Sequence, residues 1–281
     1  VTGEEIAAAA QLACLLEVSA PKPGNVSPGR HFHDTRYEDF LASAVAIGPA
    51  LAGAGDRPLG FTIRAAVEAT ARWTRSNTNL GIVLLLAPLA RAAARRGGDL
   101  RTRLAAVLEE TTVADAADAY AAIRRARPGG LGAASAEDVS AAPTVTLRQA
   151  MALAAERDAV AREYTNDFSL TFEVGAPALA DARRRDLNWS DATVECFLAL
   201  LAGVPDTHVA RKLGRAEAER LSGRAREVAA AGGTASATGR AALAAFDAEL
   251  RDARNTRNPG TTADLTCAAL FVVILEGGWN R

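Results

Sequence analysis

The run Leu80-Gly-Ile-Val-Leu-Leu-Leu-Ala-Pro-Leu-Ala90 is apolar on every face. A helix with that pattern has no side to turn toward water, so other elements must wrap it. The rest of the chain offers no sheet for the purpose. Strand-like alternation over six or more residues is nearly absent, and the β-branched residues are scattered. Helix-start signals recur from end to end instead. Thr2 and Glu5 spell a capping box before "IAAAAQLACLLEV", and Thr35 and Glu38 repeat it before "DFLASAVAIGPAL". Pro58, Asn77 or Thr78, Asp99, Thr112, the Thr146–Gln149 pair, Ser190 and Thr262 mark further starts. The expectation is an all-α fold, a single compact domain over residues 1–281 of about ten helices. The helix beginning near Thr78 should lie buried at its centre, and "FLALLAGV" should also be central. The longest non-helical stretch is expected from Arg125 to Thr144, as a surface loop or lid.

The chain has 281 residues, 49% of them apolar, enough for a sizeable core. Its 32 basic and 33 acidic residues nearly cancel, so no domain-wide positive field invites a long nucleic acid. A small anionic ligand needs only a local pocket. Cys14, Cys196 and Cys267 are far apart in apolar contexts and are read as reduced core residues. "LTCAALFVVIL" is too short to cross a bilayer, which needs about 20 residues. No signal peptide is visible, so a cytoplasmic protein without a membrane partner is expected.

All but two of the basic residues are arginine; the exceptions are Lys22 and Lys212. Lys22 sits in "PKPGN", where two prolines stiffen an extended loop and Gly24 allows close backbone approach. A compact ammonium with three donors there suits a phosphate, although a solvated lysine in a Pro-Gly turn explains the same letters. His31, His33 and Asp34 follow, and they also read as cap chemistry before a helix. "TRSNTNLGI" puts small polar side chains ahead of an apolar helix, with Glu68 on the helix before it. "GVPDTHVARKLG" gathers Asp206, His208, Arg211 and Lys212 around one helix start, and "NPGTTADL" feeds another helix carrying Asp264. Each segment by itself is explained as well by capping. No Walker loop, dinucleotide fingerprint, H-E-x-x-H or G-x-S-x-G is present.

The ordered set is more specific than its parts. "PKPGN", "HFHD", "DFLASA", the Gly60–Glu68 helix, "NTNLG", "DTH" with Arg211, and "NPGTTADL" together resemble the triphosphoribosyl-dephospho-CoA synthase family, over roughly residues 17 to 271. The resemblance implies an all-helical cytoplasmic enzyme. Such an enzyme moves the 5-triphosphoribosyl group of ATP to the 2′-hydroxyl of 3′-dephospho-CoA and expels adenine. It implies catalytic roles among Asp34, Glu68 and Asp206. It implies substrate contacts by Lys22, Gly24, Asn25, His33, Ser43, Asn77, Thr78, Asn79, Gly81, His208, Arg211, Asn258 and Gly260, with Lys22 and Arg211 on the triphosphate. Mg²⁺ is expected with the nucleotide, on Glu68, Asp206 and Asp264. The partners implied are the nucleotide and an acceptor, and a homodimer is compatible. The synthases typically read N-T-H-K-G where this chain reads Asn77-Thr78-Asn79-Leu80-Gly81. That spelling looks like a branch associated with one-carbon carrier cofactors (tetrahydromethanopterin and methylofuran). A related transfer step there is the first alternative, and a non-catalytic helical binding protein the second. The segments are expected to gather in one cleft if the chain is an enzyme and to scatter if it is a scaffold.

Overall fold

A computed structural model describes residues 1–129 and 136–280, and among these no strand is formed. The first nine helices are α1 (Gly3–Ser19), α2 (Tyr37–Ala46), α3 (Gly48–Ala52), α4 (Leu59–Thr70), α5 (Leu80–Ala94), α6 (Leu100–Glu109), α7 (Val113–Ala126), α8 (Leu147–Ala154) and α9 (Ala159–Glu163). A π-helical turn, Leu170–Gly175, leads into α10 (Ala176–Arg184), α11 (Trp189–Gly203), α12 (Thr207–Leu213), α13 (Arg215–Ala230), α14 (Ala237–Leu250) and α15 (Gly260–Leu275). These outnumber the helices expected from sequence: α3, α9 and α12 are too short to show a periodic pattern, and α10, α13 and α14 carried no start signal among those read from the sequence. The chain groups into two units, residues 1–12 with 39–168 and residues 13–38 with 169–281.

In the first unit α5 is the buried element, with Leu80, Ile82 to Ala90, Ala92 and Ala93 all buried. Tyr164 is fully buried beside it and donates to the Leu84 carbonyl at 2.6 Å. Helices α4 and α7 pack closely because residue 60 is glycine: a Cβ there would fall 2.4 Å from the Asp115 carbonyl oxygen. The Gly60 amide donates to Asp115 Oδ1 at 2.7 Å. Asp115 also completes a capping box with Thr112. The expected boxes at Thr2–Glu5 and Thr146–Gln149 are present. Asp99 caps α6 as expected.

The second unit buries Phe197 and Leu201 of α11 against Val209 of α12, Leu221 of α13 and Phe246 of α14. Most of α15 is buried as well. Cys14 and Cys267 are free thiols whose sulfurs lie 3.7 Å apart, and Cys196 is free and buried too. Burial pushes the Cys196 thiol up to about 12.

Three expected helix starts differ. At α2 the Tyr37 amide donates to His31 Nδ1 at 3.1 Å, in place of a Thr35–Glu38 box. Asn188, not Ser190, caps α11. Helix α15 begins at Gly260, so Thr262 lies inside it. Between α7 and α8 the described residues, 127–129 and 136–146, are non-helical as expected. The remainder of that expected loop, 130–135, lies outside the described residues. Among the described residues no helix is long and apolar enough to cross a membrane.

Candidate active site

Four of the segments singled out in the sequence fall in the second unit. Asp206 is the N-cap of α12, and its Oδ1 accepts from the Val209 amide at 2.9 Å. Its Oδ2 accepts from the Thr262 amide and hydroxyl, both at 2.8 Å, which ties α12 to the first turn of α15. The carboxylate is 2% exposed. Burial pushes its pKa up, against the pull of those three donors. Asp206, expected from the sequence as a catalytic acid or metal ligand, is held by donors of the chain itself. Both oxygens are engaged by the protein, and the side chain positions the backbone around it.

The join brings His208, Asn258 and Gly260 together. A Cβ at Gly260 would rest 3.4 Å from the Asn258 amide nitrogen and 3.5 Å from the His208 ring. The Asn258 side chain hydrogen-bonds His208 and accepts from Lys212 Nζ at 3.2 Å. Arg211 Nη2 lies 3.5 Å from His208 Nδ1. Burial, and then the Lys212 and Arg211 cations, push the His208 imidazole down to about 3. It is therefore neutral at physiological pH and acts as a hydrogen-bonding group, not as a charge. Asp34 is exposed, its Oδ2 is 3.8 Å from His33 Nε2, and its charge acts on Lys212. His33 meets the Asn255 side chain at 3.3 Å. Asp264 is half-buried in the second turn of α15.

Lys22 is put to a different use from the one expected. Its side chain is 0% exposed, and Nζ pairs with Glu17 Oε1 at 2.9 Å. It also donates to the carbonyls of Glu17 and Ala20. Those three acceptors match the three donors of an ammonium. Lys22 therefore ties the loop back onto the end of α1 and presents nothing to a phosphate. Gly24, at φ +73°, lies so close to Leu250 that a Cβ would sit 2.9 Å from its side chain. The Gly24 amide donates to Asp247 Oδ1 at 2.9 Å. Arg30 and Arg251 both pair with Asp247, and Arg251 donates to the Asn25 carbonyl at 2.9 Å. Asn25 is itself buried, with its amide on the Pro23 carbonyl at 3.1 Å. Sequence reasoning missed the Asp247–Arg251 clamp. Its only local signal was an opposite-charge pair one turn apart, which is usually a solvated surface pair.

The "NTNLG" turn belongs to the first unit and carries no charge. Asn77 Oδ1 accepts from the Leu80 amide at 3.1 Å and starts α5. Thr78 and Asn79 are buried; Thr78 bonds Ser43 and Asn79 donates to Thr70 Oγ1 at 3.0 Å. Leu80 is 6% exposed, and Gly81 is half-buried. Glu68 is exposed on α4. Among the described residues no group of three or more His, Cys, Asp or Glu side chains is placed to hold a metal ion.

The family model described as CitG, ATP:dephospho-CoA triphosphoribosyl transferase, matches residues 3–281. A 2-(5''-triphosphoribosyl)-3'-dephosphocoenzyme-A synthase from Klebsiella pneumoniae is 29% identical over 283 residues, covering 94% of this chain and 92% of the relative. A relative in Stutzerimonas stutzeri, assigned the same synthase name, is 35% identical over 105 residues. That stretch is 37% of this chain and spans only 36% of the relative. Among solved structures, one from Archaeoglobus fulgidus assigned as a triphosphoribosyl-dephospho-CoA synthase is similar with a TM-score of 0.65. It is 28% identical, and the match covers 84% of this chain and 99% of that one.

Proposed function

Because the chain belongs to the CitG family of ATP:dephospho-CoA triphosphoribosyl transferases, we propose that it transfers the 5-triphosphoribosyl group of ATP to the ribose 2′-hydroxyl of 3′-dephospho-CoA. The bond from the anomeric carbon to adenine breaks, and a bond from that carbon to the 2′-oxygen forms. The hydroxyl proton leaves to a base, and adenine departs with a proton. The observation that carries the reading is the match over residues 3–281.

Side chains of the second unit suit parts of this chemistry. Displacement at an anomeric carbon develops positive charge on the sugar, which a carboxylate stabilises. With Asp206 engaged, Asp34 is the exposed acid of this unit's motif segments, and its side chain is 59% exposed. We assign it the carboxylate role, as base or as stabiliser of the developing charge. His208, held neutral, would orient a hydroxyl or phosphate without adding charge. Arg211 would face the triphosphate. Mg²⁺ would arrive on the nucleotide as part of the substrate.

The test is to incubate the protein with ATP, Mg²⁺ and 3′-dephospho-CoA, and to measure free adenine and the mass of the CoA product. Adenine release that requires 3′-dephospho-CoA supports the reading. ATP left intact sinks it. One observation favours a second acceptor. At the position where the synthases carry His-Lys, this chain buries Asn79 and Leu80. A related transfer onto a one-carbon carrier cofactor precursor follows if ATP is consumed only with such an acceptor.

A further inference from the structure

We propose that Lys212, with Arg211 beside it, binds the oligophosphate chain of the nucleotide, and that Lys212 is the phosphate-binding lysine of this protein. The inference deepens the transferase reading above and rests on it for the identity of the ligand.

The two lysines differ in what their donors already hold. The Lys22 ammonium is sealed from solvent and matched by Glu17 Oε1, the Glu17 carbonyl and the Ala20 carbonyl. Lys212 is exposed, and among the described residues its ammonium makes one hydrogen bond, to the neutral Asn258 amide at 3.2 Å. An ammonium has three donors, so two remain for a ligand. Asn258 holds the flexible stem in place, which lowers the ordering cost when an anion binds.

The surroundings favour an anion. Arg211 and Lys212 are adjacent at the end of α12, and together with burial they keep the His208 imidazole uncharged. Partial burial of the ammonium, and then Arg211, pull the Lys212 pKa below its ordinary value, while the Asp34, Asp206 and Asp252 charges pull it upward. Asp206, however, is buried and bonded on both oxygens, so it does not compete as a direct partner. In a chain that writes almost every cation as arginine, a compact three-donor ammonium at this point has a chemical use: it grips phosphate oxygens as a point charge.

The experiment uses the full chain and variants Lys212→Met, Lys212→Arg and Lys22→Met. Calorimetry reads the affinity for inorganic tripolyphosphate without Mg²⁺. Losing a charged hydrogen-bond partner should weaken binding by about 10- to 100-fold in Lys212→Met, with Lys212→Arg between it and the parent. The melting temperature of Lys212→Met should match the parent. Lys22→Met should melt lower, yet its folded fraction should bind tripolyphosphate like the parent. Parental affinity in Lys212→Met overturns the proposal, as does a parent protein that does not bind tripolyphosphate. If no transfer product forms while tripolyphosphate binding still depends on Lys212, the transferase reading fails and the phosphate site stands. If product forms while Lys212→Met keeps parental affinity, the phosphate site fails and the transferase reading stands.

Discussion

Two regions of the second unit each hold a lysine and use it in opposite ways. In the loop after α1, Lys22 lies under the chain with Glu17, and the Asp247–Arg251–Arg30 cluster holds the following residues down. At the end of α12, the Lys212 ammonium reaches the surface on one neutral amide, while Asp206 is buried in bonds to the chain and Asp34 stays exposed. The first region uses its charges on itself. The second keeps the Lys212 ammonium available and turns the Asp206 carboxylate on its own chain. A motif rich in ionisable residues is therefore a poor guide to which of them meets a ligand until the internal partners are known.

The largest effect should come from breaking the buried pair in the first region. Lys22→Met strands the Glu17 carboxylate, and losing one partner of a buried ion pair costs about 3–5 kcal/mol. Urea denaturation reads this directly. A loss below about 1 kcal/mol would mean that the pair is not buried as described and would dissolve the contrast. Next comes Asp206→Ala. Removing a cap and leaving the Thr262 donors unmatched should cost about 2–4 kcal/mol. Full stability with abolished turnover would return Asp206 to the catalytic group.

A smaller effect sharpens the comparison with the uncharged "NTNLG" turn. Asn79→Ala removes the bond to Thr70 and should cost about 1 kcal/mol. Its nucleotide affinity should stay near the parent's, because that turn carries no charge. A loss of affinity beyond tenfold would show that the turn contacts ligand directly.

The last effect is a slope with pH. His208 is held neutral in the fold, with its pKa about 3 against an ordinary 6.5. Below pH 6.5 the unfolded chain takes up a proton there that the folded chain refuses, so this contribution to stability is full above pH 6.5 and falls away toward pH 3. Parent and His208→Gln should therefore diverge in thermal stability as pH drops from 6.5 to 4, with the variant falling less. Parallel curves would show that the imidazole is not held neutral by its surroundings.

Much of the helical layout was legible because its causes are local. The capping boxes at Thr112–Asp115 and Thr146–Gln149 are closed within three residues, and an all-apolar run at α5 leaves a helix no exposed side. At α2 a residue outside that local window intervened, because His31 takes the Tyr37 amide six positions on; at α11 the cap Asn188 stood two residues before the one expected. The family was legible through the order of its segments, which survives although each segment alone is ordinary cap chemistry. The roles within the segments were not. Asp206 meets Thr262 across 56 positions, and Gly24 meets Asp247 across 223.

Letters alone, then, established an all-helical chain with a buried α5 and the family it belongs to. Periodicity, caps and motif order act over a few residues or along the chain, and need no coordinates to be read. Which charge is buried and which is offered was decided by packing. Desolvation and hydrogen-bond geometry depend on what folds over a side chain, and for Lys22, Asp206 and Lys212 the folded chain set that environment.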